Sequence, residues 1–227
     1  MNHWSSGQLP YSWNPKGITL DWSGSDNPTN FNKNKDKWDN VKISYEYNSS
    51  GFRTHELDGL LGQKVNLALG CSITEGIGLS INQVWPSLIE QQLTHPMLNL
   101  GSGGAATDTV ARILTNVVTL FDLQTVFIMW PFVHRFETYM ESGQIRTILP
   151  HNSKIEHQWA VTDSMSNQRF NQNQLIVNLL SERYGFSVKQ STAFDLLYQI
   201  VDKDTARDGM HPGPNMQLLL ADMMLSS

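Results

Sequence analysis

An alternation that begins at residue 64 restricts the fold more than any other feature of the chain. Three short apolar runs, "KVNLALG" (64–70), "PMLNLG" (96–101) and "TVFIMW" (125–130), are separated by segments of helical period. Runs that are apolar on both faces and bounded by glycine suit strands buried inside a parallel sheet. Between them, "NQVWPSLIEQQL" (82–93) sets Val84, Leu88, Trp85 and Ile89 on one helical face. "DTVARILTNVV" (108–118) carries a stripe of Val110, Ile113, Leu114 and Val117, with Asp108 as the expected N-cap. "NQLIVNLLSERYG" (173–185) predicts a helix closed by Gly185, "FSVK" a fourth strand, and a last helix begins near Pro214. Residues 138–170 are polar and read as a long loop over one edge. The expected class is α/β: a three-layer α/β/α sandwich around a central, mostly parallel sheet of the flavodoxin-like kind. In such sheets the site lies beyond the carboxyl ends of the strands. Ser72, the glycine turn at 101–104 and Trp130–His134 all follow strands and are expected on one rim.

Residues 1–63 have a different texture and read as an extension packed on a main domain of residues 64–227. They hold four of the seven tryptophans (Trp4, Trp13, Trp22, Trp38) among many Asn, Ser and Gly. "VKISYEY" alternates Val41, Ile43, Tyr45 and Tyr47 on one face, as a half-buried strand does, and "ITLDW" is a weaker strand. Packing against the core is the commoner use of such aromatics, and stacking on a sugar is the alternative. A net charge of −5 and 40% hydrophobic residues suit a soluble globular protein. No Lys/Arg cluster points to nucleic acid or a membrane surface. The longest apolar stretches are far too short to span a bilayer. "MNHWSSGQLPYSW" lacks the charged start and apolar core of a secretory signal. A soluble, cytoplasmic protein is therefore expected, with export by another route left open. One cysteine excludes an internal disulfide.

Chemistry is suggested at three places. "LALGCSITEG" puts Ser72 between a buried strand and a helix, where backbone N–H groups can receive a developing oxyanion. A turn or capping serine is the ordinary meaning of such a residue. Cys71 is the rival nucleophile, although a thiol directly after a strand usually points into the core. "ARDGMHPGP" holds Asp208 and His211 three residues apart, a spacing at which the carboxylate can orient the imidazole so that Nε2 accepts a serine proton. No second cluster with ligand spacing supports a metal. The remaining histidines (His3, His55, His95, His134, His151, His157) are scattered. "NLGSGGAATD" offers N–H groups at glycines, and also matches a G-x-G-x-x-A dinucleotide fingerprint. That rival fails because no acidic residue ends the following strand. An α/β-hydrolase elbow fails too: it needs glycine two residues after the serine, and Thr74 stands there.

Taken in order, these blocks resemble the SGNH (GDSL-like) hydrolase superfamily over about residues 64–226. "GCSITEG" is similar to its nucleophile block, with Cys71 where aspartate usually stands. "NLGSGG" is similar to the block whose glycine gives an oxyanion N–H, which by spacing is Gly104, or Gly103 or Gly101 in another register. "DGMHPG" is similar to the block carrying acid and base. "YNSSGFRTHEL" (47–57) resembles a segment found before the nucleophile strand in some members, with no catalytic role assigned. The resemblance implies a Ser72–His211–Asp208 triad, oxyanion N–H groups on Ser72 and Gly104, no cofactor, and a small or carbohydrate O-acyl ester as substrate. One block departs: the family's third motif supplies an oxyanion asparagine, and none lies between Trp130 and Glu137. Either His134 or Arg135 from the same loop donates instead, or the activity is reduced, or the chain is no longer an enzyme. An acyltransferase and a non-catalytic glycan- or partner-binding module are the competing expectations.

Overall fold

The computed structural model describes residues 14–139, 145–148, 162–192 and 204–227. Trp4, Trp13, His3, His151 and His157 lie outside the described residues.

Four strands form the central sheet: β3 (Lys64–Leu69), β4 (Met97–Asn99), β5 (Asp122–Trp130) and β8 (Ser187–Thr192), in the order β4-β3-β5-β8. All three pairings are parallel; β3 meets β5 from Lys64↔Asp122 to Leu69↔Ile128. β3, β4 and β5 are largely buried on both faces, which is why they are mostly apolar without alternation, whereas the edge strand β8 is polar and partly exposed. Val65, Leu67, Leu69, Val126, Ile128 and Trp130 pack towards α5 (Thr107–Val117) and Val177 of α6 (Asp163–Tyr184). Ala68, Phe127 and Met129 pack on the opposite face, against Trp85 and Ile89 of α4 (Trp85–Glu90) and Met216, Leu220 and Met224 of α7 (Pro214–Ser226). The three-layer α/β/α sandwich is therefore present, with a wholly parallel central sheet. The chain leaves β3 towards one edge and β5 towards the other, so the loops after these two strands flank a crevice at the switch point.

The N-terminal part adds β1 (Ile18–Leu20), paired antiparallel with β2 (Tyr45–Tyr47), and two short helices, α1 (Pro28–Asn32) and α2 (Lys35–Trp38). Trp38, Ile43, Tyr45 and Tyr47 build a third apolar cluster with Ile77, Leu79, Val84 and Ala206. Trp22 tilts against Phe31 at 5.7 Å, and the Arg207 guanidinium lies 4.1 Å over its ring. The described tryptophans of this part are thus engaged in packing. Phe52 and Leu57 join the main core cluster.

Several local expectations are corrected. The strand expected over 41–47 is confined to Tyr45–Tyr47, and Val41 is exposed, although Ile43, Tyr45 and Tyr47 keep the buried alternation. The helix expected over 82–93 is cut to Trp85–Glu90, because Pro86 fixes its first turn and a 3₁₀ turn precedes it at Ile81–Gln83. Ala106, not Asp108, is the N-cap of α5. Asp108 instead accepts from Glu137 N–H at 2.9 Å and from the Asn173 amide at 2.9 Å, tying α5 to its neighbours. The expected loop over 138–170 contains part of an antiparallel hairpin, β6 (Phe136–Tyr139) with β7 (Ile145–Ile148), and the start of α6 at Asp163. Thr162 caps that helix by accepting from Met165 N–H, and Gly185 ends it in the left-handed conformation, as expected.

Candidate active site

The chain needs a glycine at 70 to reach Ser72. A Cβ there would lie 2.2 Å from Thr74 Oγ1 and 2.8 Å from the Met129 carbonyl, so no larger residue fits between β3 and β5. Ser72 then opens α3 (Ser72–Glu75), a single turn closed by Gly76 at φ 83°. As the first residue of a helix its N–H has no intrahelical acceptor, and it has no partner among the described residues. Cys71 is buried, its side chain within the apolar cluster that includes Ile73 and Met129.

From the other end of the chain comes the turn before α7. Asp204 holds its base by accepting from Asn215 N–H and Met216 N–H, both at 3.0 Å, a contact ten or more residues downstream that leaves no local pattern. Ala206 N–H bonds the His211 carbonyl at 2.9 Å and closes the turn. Inside it Asp208 Oδ1 accepts from the N–H groups of Met210 and His211, each at 3.0 Å, which fixes the carboxylate plane. Asp208 Oδ2 lies 2.6 Å from His211 Nδ1, and His211 Nε2 lies 2.7 Å from Ser72 Oγ. The three residues are brought into one continuous line. Burial alone would raise the Asp208 pKa, but the hydrogen bond and charge of His211 and the Ser25 hydroxyl outweigh it and hold the carboxyl well below its usual range. With the acid ionised, Nδ1 keeps its proton and Nε2 faces the serine as an acceptor.

The glycines of the turn after β4 differ in how their N–H groups are used. Gly101 N–H is bound by Asn99 Oδ1 at 3.0 Å, and Gly103 N–H is bound by Glu75 Oε2. Gly104, at φ 76°, has an N–H with no partner among the described residues. Gly101 is glycine for want of space, since a Cβ would sit 2.7 Å from Glu75 N.

A cleft of about 320 Å³ opens beside Ser72 and His211, lined by Ile73, Phe132, Met210 and Met216 on its apolar side and by Arg135, Asp204 and Thr205. Arg135 stacks over Phe132 at 5.0 Å and reaches the Ala105 carbonyl at 3.5 Å. His134, the neighbouring residue, is not among those lining this cleft; its Nδ1 lies 3.9 Å from Asp163 on α6.

Four supporting groups were not foreseen. Ser25 Oγ donates to Asp208 Oδ2 at 2.6 Å. Asp26, fully buried, accepts from Arg207 at 2.6–3.1 Å and from Tyr45 Oη at 2.5 Å. Burial, then the bond to Asp26, pushes the Tyr45 phenol up. Glu75 accepts from Tyr47 Oη at 2.6 Å, from Asn14 at 3.1 Å and from Gly103 N–H; burial still raises its pKa. Arg53, in the segment 47–57, binds the carbonyls of Gly76 and Leu79 at 2.8 Å each and so holds the chain leaving α3. Paired carboxylates and arginines far apart in sequence carry no spacing signal, which is why they were missed. Among the described residues no group of three or more His, Cys, Asp or Glu could hold a metal ion, and no helix is long and apolar enough to cross a membrane.

No protein-family model and no curated protein matches the chain. Solved structures do. A lipolytic G-D-S-L protein from Veillonella parvula is similar at TM-score 0.38 and 13% identity, over 72% of this chain and 97% of its own. The psychrotrophic esterase EstA from Pseudoalteromonas sp., inhibited by monoethylphosphonate, is similar at TM-score 0.39 and 16% identity, over 72% and 95%. A two-domain esterase active on acetylated mannans is similar at TM-score 0.38 and 16% identity, over 73% of this chain and 48% of its own. These neighbours are G-D-S-L proteins and esterases.

Proposed function

We propose that the chain is a serine ester hydrolase of the SGNH type, using Ser72, His211 and Asp208. The observation that carries this reading is the unbroken line of short hydrogen bonds, 2.7 Å from Ser72 Oγ to His211 Nε2 and 2.6 Å from His211 Nδ1 to Asp208. His211 Nε2 takes the hydroxyl proton as Ser72 Oγ attacks the ester carbonyl. The oxyanion is received by the N–H groups of Ser72 and Gly104. The imidazolium, supported by Asp208, returns the proton to the leaving alcohol, and the acyl-enzyme is cleaved by water activated by His211. Arg135 stands in for the absent asparagine as a charged donor at the mouth of the cleft.

The substrate class proposed is a small or carbohydrate O-acyl ester, O-acetyl above all. The apolar side of the cleft suits a short acyl group, and the carbohydrate assignment rests on the family resemblance alone. An alcohol in place of water would make the same triad an acyltransferase. The test is a fluorophosphonate probe, followed by p-nitrophenyl acetate turnover. Labelling of the wild type that is lost in Ser72→Ala is expected. A folded wild-type protein that takes no label would favour a non-catalytic binding module, and label lost only on changing Cys71 would move the nucleophile.

A further inference from the structure

The hydrogen-bonded line from serine to carboxylate leaves the hydroxyl of Ser25 unexplained. It comes from the loop between β1 and α1, 183 positions before the residue it binds. Its oxygen lies 2.6 Å from Asp208 Oδ2 and 3.4 Å from His211 Nδ1, so one carboxylate oxygen serves both the imidazole and the serine. The other oxygen is already fixed by two backbone N–H groups, which means that Ser25 is not needed to hold the carboxylate plane. The Asp208 side chain is fully buried, so no solvent competes for Oδ2. The delivery of this hydroxyl is itself built. Asp26, the next residue, is clamped by Arg207, the residue before Asp208, and both are buried. Arg207 also binds the Asp21 carbonyl at 2.7 Å, while Asn27 and Asn30 bind the Ser25 carbonyl at 3.1 and 2.8 Å.

We propose that Ser25 is a positioning residue of the relay: its hydroxyl drains charge from Asp208 Oδ2, and the Asp26–Arg207 clamp exists to deliver it there. A hydroxyl bonded to a carboxylate favours the anion and lowers its basicity. The carboxylate then pulls less strongly on the Nδ1 proton, and His211 releases a proton more readily in the leaving-group step. Among the described residues, the other charged groups near the imidazole are Arg135 and Asp204, which line the same cleft, and the Arg207–Asp26 pair behind the carboxylate. A change at Ser25 leaves each of these side chains in the sequence.

The inference rests on the triad reading, and its test is chosen so that the two can fail separately. The imidazole of His211 is titrated by proton–nitrogen NMR in full-length wild type, Ser25→Ala and Ser25→Thr, with no substrate present. In Ser25→Ala the midpoint is expected to rise by about half a pH unit, a fraction of one hydrogen bond to a charged group, because the loss reaches the imidazole only through the carboxylate. The acid limb of kcat/KM for p-nitrophenyl acetate is expected to rise with it, and Ser25→Thr to restore both. Should Ser25→Ala not fold, Ser25→Cys, a weaker donor of similar size, is measured with the same expected direction. A midpoint that stays at the wild-type value or falls overturns the proposal, as does a threonine variant that fails to restore it. If no ester is turned over, the titration alone still decides the role of Ser25.

Discussion

At the scale of single residues, the candidate site divides into groups that touch the reacting atoms and groups that set their charge. Removing Ser72 or His211 by alanine substitution is expected to lower kcat by at least about 10³-fold, and the double variant to be scarcely worse, because the pair acts as one unit. Arg135→Ala is expected to lower kcat by about 10²–10³-fold with KM little changed, the loss seen when one oxyanion donor is removed. Arg135→Lys should recover part of it, and an unchanged kcat in Arg135→Ala would leave the oxyanion to two N–H groups. Two of the buried carboxyls respond to pH with opposite sign. Asp208 has a folded pKa below its unfolded one, so it adds stability above about pH 4, lost as pH falls through the depressed value. Glu75 has a folded pKa above its unfolded one, so stability falls as pH rises from about 4.3 through the raised value and then levels off. Urea unfolding at pH 4, 6 and 8 is expected to show Glu75→Gln gaining on wild type as pH increases. A constant difference across that range would mean that Glu75 is ionised at no cost.

At the scale of elements, legibility followed the kind of force involved. The strands of the sheet were readable because burial on both faces writes continuous apolar runs, and Lys64–Leu69 and Met97–Asn99 fall within the runs that suggested them. The stripe of α5 was readable for the same reason: Val110, Ile113, Leu114 and Val117 are all buried. The first half of α6 was not, since Ser164, Asn167, Gln168, Asn171 and Gln172 give no apolar period and the helix is held instead by its cap, Phe170 against Trp130, and Asn173. Ser72, Asp208 and His211 were legible because each sits in a glycine-bearing turn of recognisable spacing. Ser25, Asp26, Glu75 and Arg207 were not, because an ion pair between residues 181 positions apart leaves no local pattern. That pair has a measurable weight. Arg207→Met leaves Asp26 buried without its cation and is expected to cost about 3–5 kcal/mol in denaturant unfolding. Losing less than about 1 kcal/mol would show that Tyr45 alone satisfies the carboxylate.

At the scale of the whole molecule, the segment from Trp38 to Leu57 is packed into the rest of the described residues. Phe52 and Leu57 lie in the main core, and Trp38, Ile43, Tyr45 and Tyr47 cover Ile77, Leu79, Val84 and Ala206. A chain beginning at residue 64 is therefore expected to lose its cooperative thermal transition and to bind a hydrophobic dye. A sharp transition in that shortened chain would show that residues 64–227 fold alone. The position of Ser25 on Asp208 also bears on how the protein is made. The nucleophile turn precedes the imidazole that meets it by 139 positions, and the loop that reaches the carboxylate comes from earlier still. A nascent chain that has passed Ser72 but not residue 208 holds the hydroxyl without the two side chains that line up on it. Assembly of the candidate centre therefore waits on the turn at 204–212, long after its serine has been made.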